Sequence, residues 1–235
     1  MTSGWVVMKK LGTDHVNLDQ KVYSQLKTMI LDQNLKSGSK IFQEKLAEDL
    51  GISRTPLVNA LKKLEQEHLI TAIPRKGFYV REFSKEEMVY IFELREVLEG
   101  LAARRASLRV SGSQIPKLRN ILTGLKTSEA SGSVEKYAKE DRRFHHFLIR
   151  IAVDHLLSNL LETYHVITFS YLVKSRGGLV RPPQETLPEH LAIVEAIIER
   201  DPEMAEQAAR LHIKRSREKL IKDFGGESLN DARSR

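Results

Sequence analysis

Along most of the chain apolar residues recur every three or four positions, the spacing that lines them up on one face of an α-helix. Val22, Leu26, Met29 and Ile30 mark a first helix that opens at Asp19 and ends before Leu35-Lys36-Ser37-Gly38. Phe42 to Leu50 reads as a short second helix stopped by Gly51, which can take the left-handed conformation of a helix end. Ser53 stands where it would cap a third helix, whose stripe is Leu57, Ala60, Leu61 and Leu64. The period then shortens: Leu69–Ile73 and Phe78–Val80 read as two strands joined by the turn Pro74-Arg75-Lys76-Gly77. Three helices followed by a basic-tipped hairpin is the pattern of a winged helix-turn-helix.

Beyond the linker Arg81-Glu82-Phe83, Ser84 and Glu87 form a capping box that opens a long helix. Helical periodicity then predicts helices over 84–109, 113–127, 133–153, 156–174, 186–200 and 202–222, with Gly, Ser and Pro as punctuation and no competing strand pattern. Asp201-Pro202-Glu203 is the clearest start, with Asp as cap and Pro at the first helical position. The expected fold is mainly α: a winged helix-turn-helix of three helices and a small β-hairpin, then an all-α helical bundle. The boundaries read as a flexible arm over 1–18, a winged helix-turn-helix domain over 19–81, an all-helical domain over 82–223, and a disordered tail over 224–235.

Composition narrows the function classes. The chain has 235 residues, 29% charged and 41% apolar, which is ordinary globular material. It has no cysteine, so disulfides, thiolate metal sites and a cysteine nucleophile are excluded. The opening MTSGWVVMKKLG lacks the apolar core of a signal peptide, and no apolar run is long enough to span a membrane, so a cytoplasmic protein without membrane contact is expected. The formal net charge is +7. Residues 1–80 hold 12 basic and 8 acidic groups, the remainder 26 and 23, so the charge excess sits mostly in the smaller segment and directs the search for a nucleic-acid surface there.

In a helix-turn-helix the third helix enters the major groove, its apolar stripe holding it to the scaffold. Its outward positions are Arg54, Thr55, Val58, Asn59, Lys62 and Lys63. Arg54 can fork onto guanine O6 and N7, Asn59 can pair with adenine, and Thr55 and Lys62 suit phosphate or base contacts. Arg75 and Lys76 at the hairpin tip would follow the backbone or reach the minor groove, with Gly77 permitting close approach. A solvated charged face remains the plainer alternative.

In the helix after Ser133 the apolar stripe runs through Tyr137, Phe144, Phe147, Leu148 and Ile151, and Asp141 and His145 complete it. His190 keeps company with Leu187, Leu191, Val194 and Ile197, and His212 with Ala205, Ala208 and Leu211. Four inward polar residues on three helices need partners. One carboxylate and three imidazoles suit a divalent metal, with zinc foremost and nickel, manganese or iron also compatible; hydrogen bonding within the core is the alternative. His15, His68, His146, His155 and His165 show no such convergence. Arg95 falls inside the apolar stripe of the helix from Ser84, either paired with Glu99 one turn on or facing the metal cavity to clamp a carboxylate effector.

The run Leu46-Ala47-Glu48-Asp49-Leu50-Gly51-Ile52-Ser53-Arg54-Thr55-Pro56-Leu57-Val58-Asn59-Ala60-Leu61-Lys62-Lys63-Leu64-Glu65 resembles the winged helix of the GntR superfamily of bacterial transcription regulators. Ile73-Pro74-Arg75-Lys76-Gly77-Phe78-Tyr79-Val80 resembles that family's wing. The resemblance implies an operator contact for Arg54; Val58 departs from it, standing where an arginine is common. Asp141-Arg142-Arg143-Phe144-His145, Glu189-His190 and the stretch from Asp201 to His212 resemble the FCD ligand-sensing domain of the FadR subgroup. That resemblance implies a divalent metal on Asp141, His145, His190 and His212 beside a small-molecule cavity, with organic acids, sugar acids or amino-acid derivatives as effectors rather than fatty acyl groups. It departs at Ile151-Ala152-Val153-Asp154-His155, where the family has a small-residue turn ending in asparagine.

The expected function is therefore a DNA-binding regulator, more readily a repressor, working as a homodimer on a double-stranded, pseudo-palindromic operator and controlled by a small carboxylate-bearing effector beside the metal. No heptad seam marks a dimer interface, so dimerisation rests on the resemblance and on two-fold operator logic. The alternatives are a metal-dependent hydrolase-like enzyme, which would leave the winged helix without a task, and a regulator whose metal is purely structural or is itself the signal.

Overall fold

The computed structural model describes residues 14–152, 155–176 and 178–225. The chain divides into two compact units, one ending at Arg81 and one beginning at Glu82.

The first unit holds α1 (Asp14–Leu31), α2 (Gln43–Asp49), α3 (Arg54–Gln66), β1 (Ile70–Ile73) and β2 (Gly77–Val80). Its core is Val22, Leu26, Ile30, Leu46, Leu57, Leu61, Leu64, Leu69, Ile70 and Val80, the stripes of the three helices closed by the root of the hairpin. Helix α2 ends as the sequence suggests: Gly51 has φ 63°, its N–H bonds to Glu48 O, and the Ile52 N–H bonds to Ala47 O. This double bond pattern turns the chain sharply enough to lay α3 against α2.

The strands pair antiparallel with Ile70 opposite Val80 and Ile73 opposite Gly77. At the tip the Lys76 N–H returns to Ile73 O, with Pro74 leading and Arg75 at φ 63°, as in a turn that needs a left-handed third residue. A contribution absent from the sequence pattern is the segment at Lys40, which bridges Tyr79 and sends the Ile41 N–H to Phe78 O.

Three expectations need correction here. Helix α1 starts at Asp14, so the arm drawn over 1–18 is too long; polar residues do not end a helix, and only apolar periodicity had marked its start. Residues 1–13 lie outside the described residues, as do 226–235 of the expected tail; the rest of that tail, Phe224 and Gly225, forms the turn closing the last helix. Ser53 holds the cap position with extended backbone, but its side chain makes no capping hydrogen bond.

The second unit is all helical among its described residues: α4 (Lys85–Arg109), α5 (Ile115–Ala130), α6 (Val134–Ala152), α7 (His155–Arg176), α8 (Pro183–Ile198) and α9 (Pro202–Asp223). Ser84 and Glu87 make the expected capping box on α4, and Asp201 Oδ1 accepts the Met204 N–H at 2.9 Å to start α9. Helix α8 begins at Pro183 rather than 186, because a proline in the first turn loses no helical hydrogen bond; reading it as punctuation placed the start too late.

The core of this unit runs through Ala102, Ala106, Leu118, Leu125, Tyr137, Phe144, Leu148, Ile193, Ile197 and Ala209. Helix α4 lies against α9 so closely that a Cβ on Gly100 would stand 2.5 Å from Arg210 Cγ. The outer face of α4 is apolar as well: Tyr90, Leu94, Val97 and Leu108 are about half exposed at 51%, 47%, 50% and 58%. Residues 90, 94, 97 and 101 follow the 3–4 spacing of a seam, with 108 two turns further on, and the sequence reading missed it because apolar residues on both faces of one helix cancel the contrast that marks a stripe. No helix among the described residues is long and apolar enough to cross a membrane.

Candidate metal centre and nucleic-acid interface

Helix α6 carries Asp141 and His145 one turn apart, α8 carries His190 and α9 carries His212. Each histidine replaces one apolar residue of a core-facing stripe, so packing the stripes drives the imidazoles together. All three are buried, His190 completely. One ring nitrogen from each can be chosen so that all lie within 4.8 Å of one another. Asp141 joins them, with Oδ1 3.3 Å from His190 Nε2 and Oδ2 4.0 Å from His145 Nε2.

The opposite nitrogen of every ring is held from behind. His145 Nδ1 lies 2.7 Å from Glu99 Oε2, and His212 Nδ1 lies 2.7 Å from Glu189 Oε2. A carboxylate only accepts, so both rings carry a proton on Nδ1 and turn Nε2 to the shared centre, where the neutral ring offers its lone pair. His190 Nδ1 lies 3.3 Å from the Tyr137 hydroxyl, which also bonds Thr186 Oγ1 at 2.9 Å. Fixing the tautomer through the far nitrogen is how proteins orient metal-binding histidines.

The electrostatics divide the histidines. Burial pushes His190 far below the usual imidazole range, helped by the neighbouring His212 and His145 charges, so it stays neutral and able to donate its lone pair. Burial also lowers His212, against the hydrogen bond it donates to Glu189. For His145 burial is outweighed by the charge and hydrogen bond of Glu99, and the ring is raised. Glu189 is held down to about 2: burial opposes ionisation, but hydrogen bonds from His212, Arg181 and Arg215 overcome it.

The decisive atom is His190 Nε2, which is buried and makes no hydrogen bond although a carboxylate oxygen is near. An unpaired imidazole nitrogen in a core costs about 1–3 kcal/mol. A cation shared with Asp141, His145 and His212 removes that cost, and three neutral imidazoles with one carboxylate are a donor set for a first-row divalent ion. The residues fit such an ion.

Beside the centre lies a cavity lined by Arg95, Asp141, His145, His165, Thr168, Arg181 and His212 among others, with about 60 Å³ open to the centre of a water molecule. Arg95 reaches it and is also paired: its Nε donates to Glu99 Oε1 at 2.7 Å. The pairing with Glu99 and a place on the cavity wall therefore belong to one side chain. The expectation that His165 stands apart is overturned, since its Nε2 lies 3.3 Å from Glu99 Oε1 and its ring centre 5.2 Å from that of His145. Burial, with the nearby Arg95 charge, lowers its pKa to about 4. His68 and His146 are exposed, and the side chains of His15 and His155 lie outside the described residues.

Sequence reasoning missed two more members, Glu189 and Arg181, and the second task of Glu99, which it read only as a partner for Arg95. Glu99 serves Arg95 and His145 at once; Glu189 bonds His212; and Arg181, from the segment between α7 and α8, clamps Glu189 with both terminal nitrogens. Arg181 also donates to Ser216 Oγ at 3.2 Å and to His212 O at 3.1 Å. Gly178 lets this segment pass: its φ is 94°, and a Cβ there would meet the Phe169 ring at 2.9 Å. Glu189 beside His190 was a visible signal; nothing local in the sequence marks Arg181 as buried.

In the first unit Arg54, Thr55, Asn59 and Lys62 are exposed on α3, Arg75 and Lys76 are exposed at the hairpin tip, and Gly77 follows with φ 96°. Arg54 pairs with Glu44 of α2 on the surface, a contact that solvent makes weak and that a phosphate or base can replace. Asn59 leans the other way, donating to Asp19 Oδ2 of α1 at 2.9 Å. Lys63 does likewise, to Gln20 and over the Tyr23 ring. Val58 is half-buried.

Residues 18–80 match the family model described as bacterial regulatory proteins, gntR family, and residues 90–215 match that of the FCD domain. The uncharacterised HTH-type transcriptional regulator YdhC of Bacillus subtilis is 27% identical over 200 residues, 84% of this chain and 88% of its own length. The HTH-type transcriptional repressor RspR of Escherichia coli is 26% identical over 196 residues, covering 83% of this chain and 86% of its own. Among solved structures, Escherichia coli McbR/YncC superposes with a TM-score of 0.74 at 21% identity, over 88% of this chain and 99% of that one, which shows a shared fold.

Proposed function

The chain belongs to the GntR family of bacterial regulatory proteins and carries an FCD domain, and from that membership we propose a homodimeric, metal-containing repressor whose hold on its operator is set by a small carboxylate effector. Transcriptional regulation through DNA is the family's activity, and the enzyme alternative falls with it. The finer reading rests above all on the buried, unbonded His190 Nε2 facing Asp141 at the edge of the Arg95-lined cavity.

Asp141, His145, His190 and His212 would hold the ion, zinc by preference, with Glu99, Tyr137 and Glu189 orienting the three rings. The ion would supply a fixed positive charge to which a carboxylate can bind. Arg95, already at the cavity wall, would take the same carboxylate from the α4 side. Bound there, an acid touches α4, α6 and α9 together, which is how it would alter the geometry of the domain.

On the DNA side, Arg54, Thr55 and Lys62 face outward to read the major groove. Arg75, Lys76 and Gly77 form the tip that meets the backbone or the minor groove, and Asn59 and Arg54 must each leave a partner, Asp19 and Glu44, to take part. Two recognition helices are needed for a pseudo-palindromic site, and the exposed seam Tyr90, Leu94, Val97 and Leu108 on α4 suits a second copy of the chain. RspR is named a repressor, which favours that sign here, and such a regulator works in the cytoplasm.

The test combines elemental analysis of the purified chain and of an Asp141→Ala/His145→Ala variant with thermal shift against organic acids and binding to duplex sites selected from a random pool. The expected result is one metal per chain, lost in the variant together with any stabilisation by acids, and acid-weakened DNA binding in the wild type. A wild type that neither contains nor takes up metal refutes the sensing mechanism. Unfolding on metal removal would make the metal structural, and altered DNA affinity on metal removal alone would make the metal the signal.

A further inference from the structure

Two atoms in the wall of the cavity have no hydrogen-bond partner that the ion would supply. Thr168 Oγ1 and His165 Nε2 are buried and make no hydrogen bond, although His165 Nε2 stands 3.3 Å from Glu99 Oε1, and both residues line the cavity together with Arg95, Asp141 and His212. They stand three residues apart on α7, so they share one face of that helix. Thr168 itself is only 4% exposed.

Other hydroxyls and cations of the same wall are engaged. Thr186 bonds the Tyr137 hydroxyl, Ser216 takes the Arg181 Nε and gives its proton to His212 O, and Arg181 is clamped on Glu189. Arg95 spends its Nε on Glu99. The hydroxyl of this wall without a hydrogen bond is therefore on α7, whereas Arg95 and the four residues proposed to hold the ion, the groups suited to a carboxylate, are on α4, α6, α8 and α9. A carboxylate has two oxygens, and binding the ion and Arg95 occupies both. A purely apolar remainder of the ligand would then be pressed against an unbonded hydroxyl, which buried polar groups do not tolerate without loss.

We infer that the effector carries a second polar function besides its carboxylate, a hydroxyl or keto oxygen placed to hydrogen-bond Thr168 Oγ1 beside His165 Nε2, so that α7 is the wall that tells one small acid from another. The inference rests on the proposed carboxylate site and adds to it the class of acid. The narrow space open in the cavity restricts the ligand to a compact acid, in which the second oxygen lies within a few bonds of the carboxylate.

The experiment uses the full-length, zinc-loaded chain and acids in matched pairs that differ by one hydroxyl: lactate and propionate, malate and succinate, citrate and tricarballylate. Calorimetric titration of the wild type should give about tenfold tighter binding for the hydroxy member of at least one pair. Thr168→Val should bring that pair to within about twofold, and Thr168→Ser, which keeps the hydroxyl, should restore the preference. Unliganded Thr168→Val should melt at or above the wild-type temperature, because an unbonded buried hydroxyl is replaced by a methyl of the same shape. Equal binding within every pair, or a preference that survives Thr168→Val, overturns the inference and leaves the carboxylate site standing. A lower melting point for unliganded Thr168→Val overturns it too, by showing that the hydroxyl has a partner in the free protein. If no acid in the panel binds, the carboxylate site fails and the inference falls with it.

Discussion

Replacing Glu189 by glutamine separates orientation of the proposed metal-binding shell from its composition, because Glu189 would touch no ion. Its carboxylate takes the His212 Nδ1 proton at 2.7 Å, both terminal nitrogens of the buried Arg181, and Arg215 from the solvent side. The side chain is 11% exposed and that of Arg181 5%. Removing one charge of a buried pair costs about 3–5 kcal/mol. Glutamine keeps one acceptor oxygen and Arg215 opens to water, so the lower end, about 3 kcal/mol, applies. For a chain of this size each kcal/mol moves the melting temperature by about 2–4 °C, which predicts a fall of about 6–12 °C for unliganded Glu189→Gln. Metal affinity should drop about 10- to 100-fold, because the His212 tautomer is no longer dictated by a charged acceptor. Circular dichroism melts and competition with a chromophoric chelator read the two effects separately. Glu185→Gln is the control, since Glu185 stands 3.8 Å from Arg181 but is 54% exposed and should change little. A Glu189→Gln protein that melts within about 2 °C of the wild type and binds metal within about twofold would refute the view that this network holds the shell in place.

Three further outcomes follow from surface and cap geometry. Where the wild type is the proposed dimer in light scattering, Leu94→Glu/Val97→Glu on the outer face of α4 should give a monomer at unchanged helix content; a dimer that persists assigns the interface elsewhere. Arg54→Ala should cost about 1–3 kcal/mol of operator binding and relax base preference, whereas Lys76→Ala should weaken all duplexes alike and reduce the salt slope by about 1, both without altering the melting temperature. Ser84→Ala removes the hydroxyl that accepts the Glu87 N–H at 3.1 Å and should lower stability by about 1 kcal/mol in denaturant titration; no change would mean the capping box contributes nothing to the start of α4.

Local periodicity was enough for the helices, the hairpin and the four inward polar residues, because each is a departure from a pattern that a single segment displays. Asp141, His145, His190 and His212 stood out as polar interruptions of apolar stripes, and a stripe has to face the core whatever lies opposite it. The same logic placed Arg95 inside. It could not say what Arg95 meets, since a pairing with Glu99 and a place on the cavity wall look alike along one helix.

The remaining features depend on which helices become neighbours. His165 looked like one more polar residue of α7 until packing set it against Glu99 of α4 and His145 of α6. Arg181 lies in a segment without periodicity, and only its burial among Glu189, His212 and Ser216 makes it part of the shell. Asn59, exposed by its position on α3, turns out to bond Asp19 because α1 passes beside it. The seam on α4 stayed hidden for the opposite reason: with apolar residues around most of the helix, the sequence carries no contrast, and only the burial of one face by α9 leaves the other to be seen. Periodicity records which way a residue points from its own axis; the partner it meets is a property of two axes at once, and that is settled when the helices pack.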